Sequence, residues 1–218
     1  MIRVLLVDDQ ALIRQAISVM LDATDDITIV GQGDTGLDAI AMAQRLQPDV
    51  VLMDIRMPEL DGIAATEKIC GDPDLAATRV LILTTFENDT NIVAALRAGA
   101  SGFISKGSEP EELARAVRAV AQGDAVLTPR VTKELIARGV PRALSGAQRE
   151  GLWERFGVLT PRELDVVRLI AEGMSNEEIA ERLVLQPASV RRNVSRILAK
   201  LHLRDRVQIA VAWYKSGG

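Results

Sequence analysis

Residues 50–62, VVLMDIRMPELDG, begin with an apolar run that ends at Asp54. The N-terminal stretch 4–10, VLLVDDQ, has the same pattern and ends at Asp8 and Asp9. Each run is too short for a helix and too continuously apolar for a half-exposed strand, so both fit strands buried on two faces of a parallel sheet. These carboxylates would then follow directly after two buried strands.

Three further apolar runs complete a set of alternating strands and helices. The predicted strands are residues 4–7, 27–30, 50–53, 80–83 and 102–105. Apolar residues with helical spacing lie between them, and the last helix is expected to open with a capping box at residues 108–111, SEPE. Five βα repeats in about 120 residues predict one doubly wound α/β domain with a five-stranded parallel sheet, as in flavodoxin-like folds.

Functional side chains follow four of the five predicted strands. Asp8 and Asp9 follow the first, Asp54 the third, Thr84 the fourth and Lys106 the fifth. If the first and third strands are neighbours, the carboxylates converge at the carboxyl edge of the sheet, where such folds bind ligands. Three carboxylates require a cation, and oxygen ligands favour Mg²⁺ or another hard divalent ion. One carboxylate could then attack phosphorus. Taken singly, each of these residues could instead simply end a strand or start a turn.

Residues 31–36, GQGDTG, form a G-x-G-x-x-G pattern that resembles a dinucleotide-binding turn. The pattern follows the second strand rather than the first, and the chain has no room for a second mononucleotide-binding half. We interpret these glycines as a turn. A small nucleotide-dependent α/β enzyme remains the alternative hypothesis that this pattern supports.

The charge of the chain divides into two opposite parts. The net charge of −4 is composed of −7 in residues 1–157 and +3 in residues 158–218. The turn-rich segment 139–157 between them is typical of a linker, and a small basic unit beside an acidic one suggests a nucleic-acid-binding module. One cysteine, Cys70, and one histidine, His202, exclude a disulfide framework and a Cys/His zinc site within one chain.

Three capped helices are predicted in the basic part. Two capping boxes start the first and second helices, at Thr160-Pro161-Arg162-Glu163 and Ser175-Asn176-Glu177-Glu178. Gly173 suits the end of the first helix, and the third helix starts at Gln186-Pro187. Short helices joined by tight turns make a helix-turn-helix. On the third helix, one face carries Val190, Val194, Ile197, Leu198 and Leu201, whereas the other carries Arg191, Arg192, Ser195 and Arg196. Such a basic face suits a DNA major groove, although a basic amphipathic helix alone is more often a solvated surface.

The first part resembles the receiver domain of two-component response regulators. The motifs that carry this likeness are VLLVDDQ, VVLMDIRMPELDG, ILTTF and GASGFISK, with their spacing, over residues 1–122. The resemblance implies that Asp54 accepts a phosphoryl group. It also implies that Mg²⁺ is held by Asp9, Asp54 and the backbone carbonyl of Arg56, with Asp8 acting through water.

The same resemblance assigns roles near the fourth and fifth strands. Thr84 and Lys106 would bind the phosphoryl group, and Phe103 would be the switch aromatic that turns inward when Thr84 moves, its alternative role being ordinary core packing. Phe86 is a candidate shield of the phosphate against water. Gly107 departs from the family pattern, which often has Pro or Asp after the lysine.

The second part is similar to LuxR-type DNA-binding domains, so the whole chain resembles the NarL/FixJ family of response regulators. The resemblance places Arg191, Arg192 and Ser195 at base-reading positions and Arg196 and Lys200 on phosphates. A final helix at about 204–214 corresponds to the one that pairs these domains. Its candidate contact residues are Val207, Val211 and Trp213, although Val207 could equally close the helical core.

These resemblances imply a transcription factor controlled by phosphorylation from a sensor histidine kinase. Its domains would be a receiver at 1–122, a linker at 123–157 and a LuxR-type helix-turn-helix at 158–218. Phosphorylation would favour a homodimer on promoter DNA, with RNA polymerase as a further partner. We do not expect a metabolic enzyme. We also expect the protein to be cytoplasmic and not membrane-bound, because no apolar run approaches the length of a bilayer span. The alternative is constitutive DNA binding, with the receiver used only as a dimerisation platform.

Overall fold

The computed structural model describes residues 1–85, 90–124 and 156–216. The chain divides into two compact units, residues 1–126 and 127–218. Nearly all of the predicted linker, 123–157, lies outside the described residues. Within the described ranges, no helix has the length and apolar character needed to span a bilayer.

The first unit contains a parallel sheet with the strand order β2-β1-β3-β4-β5. Its strands are β1 (Ile2–Val7), β2 (Ile27–Gly33), β3 (Val50–Asp54), β4 (Arg79–Thr84) and β5 (Gly102–Ser105). Its helices are α1 (Ala11–Asp22), α2 (Gly36–Leu46), α3 (Gly62–Gly71), α4 (Thr90–Arg97) and α5 (Pro110–Ala121), with a 3-10 turn at Pro73–Leu75. The doubly wound parallel sheet predicted from the sequence is confirmed.

The sheet order reverses between β1 and β3, and this sets the location of the site. The chain adds β2 on one side of β1 and then places β3 on the other, with Val7 paired in register with Met53. Asp8 and Asp54 each follow one of these paired residues, so they lie side by side at the carboxyl edge. Ligands bind at this kind of switch point in open α/β sheets.

Burial is nearly complete in the central strands but not at the β2 edge. Every residue of β3 and the last four of β1 are buried, whereas most of β2 is half-buried. The expectation that each strand is buried on both faces is therefore wrong for β2. One core lies between the sheet, α1 and α5. It includes Leu6, Leu52, Leu83, Leu21 and Val117.

Two local predictions in the first unit are wrong. Ser108 does not cap α5, which begins at Pro110 after an N-cap at Glu109 without a side-chain hydrogen bond. Proline lacks an N–H and presets the first helical turn, so this start does not require the expected capping box. Gly31 and Gly33 belong to β2 rather than to a turn, and Gly36 is the first residue of α2.

The second unit, as far as it is described, is a four-helix domain. Its helices are α6 (Pro161–Ala171), α7 (Asn176–Leu183), α8 (Pro187–Leu201) and α9 (Arg206–Ser216). Both predicted capping boxes, at Thr160 and Ser175, form with reciprocal hydrogen bonds. Gly173 lies in the turn that follows α6 and has a positive φ of 87°, a conformation that glycine adopts readily. The predicted small all-α helix-turn-helix domain is confirmed.

Candidate functional site

The carboxyl edge of the sheet brings two carboxylates onto one lysine. Lys106 Nζ lies 2.7 Å from Asp8 Oδ2 and 3.0 Å from Asp54 Oδ1. The Lys106 side chain is 5% exposed, that of Asp8 is fully buried and that of Asp54 is 8% exposed. These are three desolvated charges rather than a surface ion pair, so removing one member leaves the others without compensation.

Burial and mutual charge shift the ionisation of this group. Burial raises the pKa of Asp54 above its ordinary value; the ammonium of Lys106 opposes the rise, and the negative charge of Asp8 adds to it. Burial also lowers the pKa of Lys106, but hydrogen bonds and charges from Asp8 and Asp54 outweigh burial and hold that pKa above its usual value. Lys106 therefore stays cationic, and Asp54 is a more basic carboxylate than an exposed one.

Asp9 adds a third carboxylate at the exposed rim of the site. One carboxylate oxygen from each of Asp8, Asp9 and Asp54 lies within 4.8 Å of the other two. Oxygens on opposite sides of a Mg²⁺ ion are about 4 Å apart, so the three oxygens are close enough for one such ion to be shared with small adjustments. Buried Oδ2 of Asp8 pairs with the ammonium of Lys106 and has no other hydrogen-bond partner among the described residues. The donor set therefore fits a hard divalent cation.

Backbone contacts hold these side chains in place. The amide of Lys106 donates to the carbonyl of Thr84 at 2.7 Å, which joins the ends of β5 and β4. The amide of Gln10 donates to Asp8 Oδ1 at 2.9 Å. The guanidinium of Arg14 in α1 donates to the carbonyl of Asp8, a contact that the sequence reading did not anticipate. Each contact fixes a strand end, not only a side chain.

Two glycines set the position of the loop after β3, which carries Arg56. A Cβ on Gly62 would lie 1.8 Å from the carbonyl oxygen of Asp54, and a Cβ on Gly36 would lie 2.4 Å from that of Leu60. The amide of Gly36 also donates to the Leu60 carbonyl at 3.1 Å. The third glycine of the G-x-G-x-x-G pattern thus serves close packing beside the carboxylate site. The sequence reading missed both roles.

The other two predicted receiver residues lie on the neighbouring strands. Thr84 ends β4 and is buried. Phe103 on β5 is also buried, at 6% exposed, and pairs in register with Ile82. A Cβ on Gly107 would meet Ser105 Oγ at 3.7 Å, an ordinary van der Waals distance. Phe86 lies outside the described residues.

The third helix of the second unit, α8, has the two faces that its sequence predicts. Val190, Val194, Ile197 and Leu201 are buried, and Leu198 is half-buried. The opposite face exposes the residues expected to read DNA, which are Arg191, Arg192, Ser195 and Arg196. Gln186 caps α8 without a side-chain hydrogen bond. The structure therefore presents a continuous basic surface on the helix that follows the tight turn.

Comparison with known protein families identifies both units. The response regulator receiver domain model matches residues 4–118, and the model for bacterial regulatory proteins of the luxR family matches residues 157–213. The chain belongs to the two-component response regulators. With a receiver domain and a LuxR-type helix-turn-helix, it is a DNA-binding transcriptional response regulator.

Full-length relatives share this organisation. The transcriptional regulatory protein YxjL of Bacillus subtilis strain 168 is 40% identical over 216 residues, covering 99% of this chain and 96% of the relative. The response regulator protein VraR of Staphylococcus aureus strain NCTC 8325 / PS 47 is 39% identical over 210 residues, covering 96% and 95%. A crystal structure of response regulator ChrA from a heme-sensing two-component system has a TM-score of 0.52 at 32% identity, covering 97% of this chain and 95% of that chain.

The last helix of this response regulator contributes mainly to the core of its own domain. Val207 is 2% exposed and Trp213 is 7% exposed, and the Trp213 ring packs edge-on against Phe156 with centroids 5.4 Å apart. The guanidinium of Arg168 lies over the Trp213 ring at 5.9 Å. Val211 is half-buried. Of the three candidate contact residues, Val211 is thus the most accessible to another molecule.

Two of the predicted DNA-contacting residues, Lys200 and Arg191, have an acidic partner within the same domain. Lys200 Nζ lies 2.7 Å from Glu163 Oε2, and the Glu163 side chain is 5% exposed. Arg191 Nη2 has a longer contact, 3.8 Å, with Glu177 Oε1, and both of those side chains are more than half exposed. The basic residues of α8 therefore differ in how freely they could meet DNA.

Proposed function

We propose that this response regulator is phosphorylated on Asp54 by a sensor histidine kinase, and that phosphorylation drives it to dimerise on promoter DNA. The observation that carries the proposal is the convergence of Asp54 and Asp8 on the buried ammonium of Lys106. A carboxylate next to a fixed cation, at the switch point of the sheet, can attack phosphorus while the cation accepts the incoming phosphoryl charge. The reaction regulates the protein and is not a metabolic activity.

In the proposed transfer, a carboxylate oxygen of Asp54 forms a bond to the phosphorus of the kinase's phosphohistidine. The P–N bond breaks, and its electron pair returns to the imidazole of the kinase. Lys106 then exchanges its contact with Asp54 for one with a phosphoryl oxygen. The hydroxyl of Thr84, at the adjacent strand end, donates to another oxygen. Asp8 keeps the ammonium of Lys106 in place during this exchange.

Asp8, Asp9, Asp54 and the backbone carbonyl of Arg56 would hold Mg²⁺ or another divalent cation. When bound, that cation supplies positive charge that neutralises the carboxylates and the transferring phosphoryl group. The closeness of the three carboxylate oxygens, which lie within 4.8 Å of one another, supports this assignment. Asp9 is the exposed member, so it lies on the solvent side, from which both the cation and the kinase would approach.

The proposed response passes from Thr84 to Phe103 and then to a dimer. Thr84 moves toward the phosphoryl group, and Phe103, a buried residue of β5, turns inward in response. The changed surface near α4 and β5 then favours pairing of two chains. Phosphorylation selects the pairing-competent state because it stabilises that state more than the other.

Pairing would place two recognition helices on adjacent half-sites of the promoter. Arg191, Arg192 and Ser195, all exposed on α8, would face base edges, and Arg196 would face phosphate. We propose domain limits of 1–122 and 158–218 with a linker between them, a cytoplasmic location and RNA polymerase as the further partner. Among the candidate contact residues of α9, Val211 should be substituted first in a test of pairing between the DNA-binding domains.

Beryllofluoride, which mimics an aspartyl phosphate, tests the switch. Light scattering would measure the mass of the full chain with Mg²⁺, with and without beryllofluoride. Fluorescence anisotropy at fixed salt would measure affinity for operator DNA selected from a random duplex library by the wild-type protein. We expect beryllofluoride to increase both mass and affinity in the wild type and neither in Asp54→Asn. A wild type that does not respond, or an Asp54→Asn variant that does, would contradict the proposal.

A further inference from the structure

Lys200 lies in the last turn of the recognition helix α8, at the far end from its N-cap. Its ammonium contacts Glu163 Oε2 at 2.7 Å, across 37 residues of sequence. Glu163 belongs to the first turn of α6. The ion pair therefore joins the end of the recognition helix to the start of the domain.

The same oxygen of Glu163 also completes the capping box of α6. It accepts hydrogen bonds from the Thr160 amide at 2.8 Å and from the Thr160 hydroxyl at 3.0 Å. Burial raises the pKa of the Glu163 carboxyl, but Lys200 and Thr160 outweigh burial, so that the pKa lies below its usual value. Glu163 is therefore a buried anion whose charge is balanced by Lys200.

A DNA phosphate would have to compete with Glu163 for Lys200. If the ammonium moved to a phosphate, the buried carboxylate of Glu163 would lose its charge partner, which is costly. Arg196 presents the opposite case, because it is exposed and has no ion-pair partner within the described part of the chain. The two basic residues are one helical turn apart on α8 but have different electrostatic surroundings.

We propose that Lys200 is a positioning residue for DNA recognition and does not contact a phosphate. It holds the C-terminal end of α8 against the first turn of α6 through Glu163, and so sets the tilt at which Arg191, Arg192 and Ser195 meet the bases. This assignment rests on the DNA-binding function proposed above. It gives Glu163, an acidic residue, a favourable role in binding an anionic ligand.

The salt dependence of operator affinity tests this role. Each phosphate contact that is lost reduces the slope of log affinity against log salt by about 0.9. We expect Lys200→Met to weaken binding roughly 5- to 20-fold, since the pair is intermediate between exposed and buried ion pairs, with the slope unchanged. Arg196→Met provides the matched comparison, with an expected decrease in slope of about 0.9. A decrease of that size for Lys200→Met would overturn the proposal.

Glu163→Gln provides a second test, because the change in operator affinity has opposite signs if Lys200 positions the helix and if Lys200 contacts a phosphate. If Lys200 positions the helix, this substitution weakens binding as Lys200→Met does, and the double variant is no weaker than the weaker single variant. If Lys200 contacts phosphate, Glu163→Gln frees it and strengthens binding. Lys200→Arg should preserve most of the affinity, since it keeps the ion pair.

A role in stability alone would leave the affinity of folded protein unchanged. All affinities are therefore measured on the full chain with the selected operator duplex, at a temperature where circular dichroism shows every variant folded. Equal affinity of folded Lys200→Met and wild type would contradict positioning. If Glu163→Gln does not fold, the slope for Lys200→Met still decides. A wild type that binds DNA without responding to beryllofluoride would contradict the proposed switch but not this role for Lys200.

Discussion

The receiver site and the DNA-binding surface use charge in opposite ways. Asp8, Asp54 and Lys106 are nearly inaccessible to solvent, whereas Arg191 and its partner Glu177 are both more than half exposed. Buried charges depend strongly on one another, because each is uncompensated without its partner. Exposed pairs contribute little and are screened by salt. The first arrangement suits a site that must respond sharply to one added charge, and the second suits a surface that must adjust to a ligand.

Removal of the buried cation gives the largest expected effect. We predict that Lys106→Met lowers the free energy of unfolding of the receiver by about 3–5 kcal/mol, because two buried carboxylates lose their shared partner. Hydrogen exchange of the β3 amides in the full chain measures this loss. Lys68→Met is the control, since Lys68 lies exposed on α3, and it should change stability by less than about 0.5 kcal/mol.

The loss should also depend on pH. Burial already raises the pKa of Asp54 in the folded protein, and removal of Lys106 raises it further. Folded protein then binds protons more readily than unfolded protein, so stability falls as pH rises through that pKa. The penalty of Lys106→Met should therefore decrease as the pH is lowered from neutral toward the ordinary pKa of an aspartate. A penalty that is independent of pH would mean that the carboxylates are not its source.

The loop after β3 gives the second prediction in order of size. Gly62→Ala would place a Cβ 1.8 Å from the carbonyl oxygen of Asp54, and we expect a loss of about 1–3 kcal/mol from overpacking. Gly71 ends the same helix with nothing within 4 Å of a Cβ, and its φ is not positive. Gly71→Ala should therefore be neutral, or stabilise by up to about 1 kcal/mol. Equal effects in hydrogen exchange would refute the close approach.

A smaller, stabilising effect is expected at the start of α8. The side chain of Gln186 makes no capping hydrogen bond, and serine is a better N-cap residue because its short hydroxyl reaches the free amides. We predict that Gln186→Ser stabilises the DNA-binding domain by about 0.5–1 kcal/mol, measured by hydrogen exchange of the α8 amides. Ala188→Ser, in the same turn but not at the cap, should give no such gain. An equal gain in stability for Ala188→Ser would mean that capping is not the cause.

Sequence periodicity predicted the strands and the helix that carry the residues of both sites. The runs that end at Asp8 and Asp54 gave the strands, and the carboxyl edge of a parallel sheet brought the two residues together. The inward and outward faces of α8 also followed from spacing alone. In each case the decisive signal is local, and it extends over one element.

Contacts between distant elements were not predictable in the same way. The resemblance to LuxR-type domains assigned Lys200 to a phosphate contact, but its partner Glu163, two helices earlier, was not predicted. Gly36 likewise packs on Leu60 through a loop that no periodic pattern describes. The start of α5 was misassigned because Ser108 and Pro110 are both local start signals, and the proline determined the outcome. Which residues meet across elements depends on helix packing, which periodicity does not encode.

The exposed pair on the DNA-binding surface gives the smallest expected effect. Glu177 Oε1 lies 3.8 Å from Arg191 Nη2, so its carboxylate competes with DNA for that guanidinium. Exposed pairs are worth about 0.2–1 kcal/mol, which limits the gain in affinity for Glu177→Gln to about fivefold at low salt. Glu181→Gln removes an exposed acid from the same helix and is the control for overall charge. Anisotropy with operator and with unrelated duplexes should show a larger gain for Glu177→Gln than for Glu181→Gln. Because the pair is screened, this difference should vanish at high salt. A difference that persists at high salt would mean that Glu177 does not act through a screened surface charge.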